Sequence, residues 1–126
     1  MRRFLLGAGI LLALLVLGLW ISFSMTQQHQ AISHTLEEAA QQALSGDPDS
    51  GHALARQAHQ SWDSHWRSTA SVADHAPMDE IDGLFSQLEV YAQTGQTSAF
   101  AANCSRLAKL IDAVGEAHSL TWWNLL

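Results

Sequence analysis

The sequence predicts an all-α protein, in which a single N-terminal transmembrane helix continues into an up-and-down antiparallel bundle of about four helices. Three observations predict it. Residues Phe4 to Phe23 carry no charge. Beyond them, apolar residues recur at spacings of three and four, and no segment shows the two-residue alternation of a half-buried strand. Glycine, proline and aspartate stand between these segments where helices stop and start. The 126 residues have the length of one domain. They divide into a cytoplasmic stub (1–3), a transmembrane helix (4–23) and an extracytoplasmic bundle (24–126).

The run FLLGAGILLALLVLGLWISF, residues 4–23, would span ~30 Å at the helical rise of ~1.5 Å per residue, the hydrocarbon thickness of a bilayer. A cleaved signal peptide is the rival reading, because Arg2 and Arg3 form a basic start and Ser22-Phe23-Ser24 has a small-x-small spacing. The apolar stretch exceeds the roughly 7 to 15 residues of a signal core, and Trp20 suits an interfacial anchor. The anchor is therefore preferred. On either reading the two arginines stay cytoplasmic and the rest crosses the cell membrane.

With no breaker between Phe23 and Ser45, the first helix runs on out of the membrane and buries Ile32, Leu36, Ala39, Ala43 and Leu44. SGDPDSG stops it: Gly46 suits the C′ position, Asp47 an N-cap, Pro48 position N1 and Asp49 the next first turn. A second helix, about 48–74, places Leu54, Ala58, Trp62, His65, Thr69 and Val72 on one side. Pro77 closes it and opens a third, whose stripe is Met78, Ile81, Leu84 or Phe85, Leu88 and Tyr91. Gly95 ends the third and Thr97 is read as the cap of a fourth, which carries Phe100, Cys104, Leu107, Leu110, Ile111 and Val114. In an up-and-down bundle the fourth helix returns towards the membrane. It brings Trp122 and Trp123 either to the interface or, with Leu125 and Leu126, to the bottom of the core.

All twelve acidic residues lie in the bundle, against Arg56, Arg67, Arg106 and Lys109, giving it a formal charge of −8. That argues against nucleic acid or anionic head groups as partners. The lone Cys104 excludes an intrachain disulfide and reads as a buried, inert thiol.

The stretch WDSHWRSTASVADHAPMDEID, residues 62–82, gathers two tryptophans, two histidines and five carboxylates. His59 and Asp63 stand at i and i+4, where two side chains can meet one ion. A stable zinc site needs three or four ligands, though, and no H-E-x-x-H helix motif is present. A metal-dependent site around His59 and Asp63, or at His75, is thus a minor alternative, and no metal or other cofactor is expected. No nucleophile elbow or phosphate-binding glycine loop is present either, so no catalytic residue is assigned and the chain is read as a non-enzyme. Trp62 belongs by phase to the core and Trp66 to its boundary or to solvent. Asp74 and His75 sit at the corner between the second and third helices, where an imidazole N–H donating to Asp79 or to a free helix-end carbonyl would pin it. Trp62, Trp66, Asp74, His75 and Asp79 are the binding candidates, with a structural role the stronger expectation for each.

The order of a basic start, one anchor, WDSHW, DHAPMDEID, QLEVYAQTG and a terminal WWNLL resembles the DUF4363 family of small bacterial proteins, mostly from Firmicutes. The resemblance covers essentially the whole chain, through Trp62, Trp66, Asp74, His75, Asp79, Ile81, Leu88, Tyr91, Asn124 and Leu126. Pro77 stands where the family more often has an acidic residue, which bears on the geometry of the corner, and Leu125 replaces an isoleucine. The family's function is uncharacterised, so the resemblance implies a membrane-anchored helical protein and supplies no activity.

Two functions are weighed. The first is a non-enzymatic, single-pass membrane protein, anchored in the lipid bilayer through residues 4–23, whose acidic ectodomain scaffolds or binds another envelope protein or a second copy of itself. The second is a small-molecule sensor of four-helix type. Only Met1, Arg2 and Arg3 would lie inside, so a sensor needs a membrane partner.

Overall fold

The computed structural model describes residues 1–69 and 76–124; within these, the side chains at 22, 25, 26, 67–69, 76, 77 and 117–124 fall outside the description. The described residues form four helices and no strand: α1 Arg2–Leu44, α2 Pro48–Thr69, α3 Ala76–Gln93 and α4 Thr97–Asn124.

α1 is one unbroken helix of 43 residues, ~65 Å long, and its two halves face different surroundings. From Phe4 to Phe23 its large apolar side chains stand exposed, Leu11 at 70% and Trp20 at 67%. The segment Arg2–Ile21 is long and apolar enough to cross a membrane. The second half turns Ile32, Leu36, Ala39, Ala40 and Ala43 into the core. The spacing that predicts this stripe holds up to Ala43 and fails at Leu44, which is 66% exposed. Leu44 is the last residue of α1, one position on from Ala43 and about 100° round the helix, so it points away from the face that α2 covers.

Both described reversals of the chain are closed by glycine in the left-handed region, Gly46 at φ 98° and Gly95 at φ 71°. The Asp47 N–H donates to the Gln42 carbonyl at 3.0 Å and the Gln96 N–H to the Tyr91 carbonyl at 3.0 Å. These six-to-one bonds satisfy carbonyls at the ends of α1 and α3. Asp47 then caps α2, accepting from the Ser50 N–H at 3.2 Å and the Ser50 hydroxyl at 2.7 Å. Those two donors hold its carboxyl below the usual range. At the second turn the expected cap is displaced by one residue. The Gln96 carbonyl accepts from the Phe100 N–H at 2.9 Å, so Gln96 holds the cap position and Thr97 is the first residue inside α4.

Cross-helix pairs show that neighbours run antiparallel. Ser33 donates to Asp112 and His29 lies against Gly115; Asn103 donates to Gln87 and Arg106 pairs with Glu80. In each case the residue number rises on one helix as it falls on the other. α1 packs against α2 and α4, α4 also against α3, and α2 meets α3 most thinly. This is the predicted up-and-down arrangement. The core is filled by Leu36, Trp62, Ile81, Phe100, Leu107 and Ile111, each under 2% exposed. Burying one such aliphatic side chain stabilises the fold by ~1.5–3 kcal/mol. On α3 both Leu84 and Phe85 are buried, and on α4 Leu110 packs at the margin.

Candidate functional site

Two groups of polar and aromatic side chains arise where the bundle's helices meet. The first lies at the end of the bundle next to the apolar half of α1. Trp62 is 1% exposed, and its ring meets His29 of α1 edge-on at 5.9 Å and His65 at 6.4 Å. His29 and His65 meet edge-to-face at 4.8 Å. His29 is 5% exposed, and Gly115 of α4 makes room for it: a Cβ there would lie 3.1 Å from the Cβ of His29. One turn further on, the buried Ser33 hydroxyl donates to Asp112 Oδ2 at 2.9 Å. The Trp62 indole Nε1–H is buried without a hydrogen-bond acceptor among the described residues. Leaving such a donor unmet costs about 1–3 kcal/mol. Trp66, at the predicted boundary, packs partly buried against the core.

The second group lies on the seam between α2 and α3. The His59 ring stacks on Phe85 with centroids 4.5 Å apart and planes 11° from parallel. Its Nε2 is 3.7 Å from Asp63 Oδ2, one turn along α2. Asp82 of α3 completes the group, the three side chains each offering a donor atom within 4.8 Å of the others. The Asp82 carboxyl is pushed above its ordinary range, first by partial burial and then by the Asp63 carboxylate; His59 pulls it the other way and Asp79 adds a smaller push. Arg56 and Glu89, 3.5 Å apart, bridge the same seam one turn further from the apolar half of α1.

Of the sequence candidates, Trp62 and Trp66 share a cluster. Asp79 sits exposed in the first turn of α3. Asp74 and His75 lie outside the described residues, as do Val72 and the side chains of Thr69, Trp122 and Trp123. His29 and Asp82 were not among the candidates.

A family model described as a domain of unknown function, DUF4363, matches residues 19–125. The chain belongs to the DUF4363 family. No curated protein and no solved structure matches it. The DUF4363 match begins inside the apolar half of α1 and takes in α2, α3 and α4. Both polar groups therefore lie within the family's domain, and WDSHW lies on α2 of the seam.

Proposed function

We propose that this DUF4363 protein is a single-pass membrane protein without catalytic activity, whose acidic bundle, residues 24–126, binds or scaffolds another envelope protein. The observation that supports it is the two-sided character of α1. Its first half bears bare apolar side chains over a bilayer's thickness, and its second half is packed against α2 and α4. With no break between them, the bundle is fixed to the span as a rigid body. Such a mounting suits a module that presents one face to a neighbour in the same membrane. Arg2 and Arg3 before the apolar run support an orientation with the N-terminus in the cytoplasm and the bundle outside. The bundle's formal charge of −8 suits a partner with a basic face, since complementary potentials steer encounter.

Photo-crosslinkers placed one at a time at exposed positions of α2, α3 and α4, in membranes from cells producing the full chain, test this. One protein recovered from positions on a single face, and not from the opposite face, is the expected result. Crosslinks scattered over all faces, or none, would defeat the proposal.

A specific observation favours the sensor as the second reading. A groove of about 420 Å³ opens between α1 and α2 beside the apolar half of α1, lined by Gln28, Thr35, Gln57, Ser61, Ser64 and His65 among others. A polar ligand seated there would bear on both helices and, through α1, on the span. Filling the groove with Ser64→Trp would abolish signalling on this reading and leave partner capture intact on the first.

A further inference from the structure

The second polar group supplies what the His59/Asp63 pair lacks in the sequence, a third ligand from another helix. We propose that His59, Asp63 and Asp82 form a site for a divalent transition-metal ion of the zinc class, which fastens α2 to α3. Zinc holds nitrogen and oxygen donors at ~2.0–2.2 Å, so ligand atoms around a tetrahedral ion stand roughly 3.3–3.5 Å apart. The His59 to Asp63 separation of 3.7 Å is nearly there, and all three donors lie within 4.8 Å of one another. Small side-chain rotations complete the approach. The two carboxylates have room to make them, because Asp82 is exposed and the Asp63 side chain is 47% exposed.

Two further features favour an ion over a bare ion pair. Stacking on Phe85 fixes the plane of His59 while Nε2 faces Asp63, the kind of ring orientation that surrounding groups impose on metal-binding histidines. Asp63 and Asp82 meet at the seam with one imidazole beside them. A divalent cation would neutralise these two like charges. One nitrogen and two carboxylates suit zinc or its neighbours better than calcium or magnesium, which prefer oxygen donors alone. The open side of the site leaves a coordination position for water. The ion would sit where direct packing between adjacent helices is thinnest, so its effect is read as stability of the bundle. The site stands independently of any partner.

The test uses the full, untagged chain in detergent micelles, stripped with chelator and titrated with ZnCl2 while thermal unfolding is followed. The melting temperature should climb with zinc, by roughly 10 °C at a hundredfold excess over the dissociation constant. Co²⁺ should give the visible absorption of a tetrahedral ion. Asp82→Asn and His59→Ala, both at accessible positions, should fold and lose both signals. His34→Ala, at an exposed position on α1, should keep them. A wild-type melting temperature unmoved by millimolar zinc, or a response in Asp82→Asn equal to wild type, would overturn the proposal.

Discussion

Gly115 of α4 lies against His29 of α1 so closely that a methyl group on it would meet the Cβ and Cγ of the histidine at 3.1 and 3.2 Å. At the other end of the bundle Gly51 does the same, where an added Cβ would stand 2.8 Å from the Ala39 carbonyl oxygen. Two glycines thus set how near α4 and α2 come to the central helix. Gly51→Ala and Gly115→Ala should each destabilise the bundle by about 1–3 kcal/mol through overpacking. Gly83 has open space around it within α3, and Gly83→Ala should stabilise by about 0.5–1 kcal/mol. Chemical unfolding of the three variants measures the contrast.

Trp62 fills the core at the end next to the apolar half of α1, and its indole N–H meets no acceptor among the described residues. Trp62→Ala should cost about 3–5 kcal/mol. Trp62→Phe keeps a ring and removes the orphan donor, so its cost should fall to about 1–2 kcal/mol. Equal costs in thermal unfolding would mean that the N–H contributes to stability after all.

Asp82 has its carboxyl raised in the folded state, so the fold favours its protonated form. Its favourable contribution is present at acid pH and is lost as pH rises through the raised value. Asp82→Asn should therefore match wild type below about pH 4 and exceed it near neutrality in metal-free buffer. The gain should stay below about 1 kcal/mol, because the side chain is exposed and screened. Urea unfolding at both pH values checks the sign.

Cys104 is fully buried, and burial pushes its thiol up to about 12. A maleimide or iodoacetamide should leave the native protein unmodified and label it at the rate of unfolding. Labelling faster than unfolding would show a local opening of α4.

The stripes at Ile32 to Ala43, Met78 to Leu88 and Phe100 to Val114 were legible because the helical period alone decides which residues turn inward. Leu44 was not, since it lies at the margin of the stripe, about 100° round the helix from Ala43, and the period alone does not say how wide a face the neighbouring helices cover. Thr97 lost the cap to Gln96 because the turn closed by Gly95 determines where the next helix begins, and a preferred cap residue one position later does not override it. The half of the seam on α2, His59 with Asp63, follows from i, i+4 spacing. Asp82 joins it through the register between α2 and α3, which no spacing within one helix encodes. His29 did carry a signal: it falls three residues before Ile32 on the same stripe, and a polar residue there is easily taken for a solvated one.

The measurement that bears most directly on a bundle rigidly mounted on its own span is the intact mass of the protein recovered from the membranes of producing cells. Retention of residues 4–23 predicts the mass of the full chain, 13.8 kDa, in a fraction that alkaline carbonate does not extract. A shorter chain beginning near residue 24 and released into the soluble fraction would contradict the account.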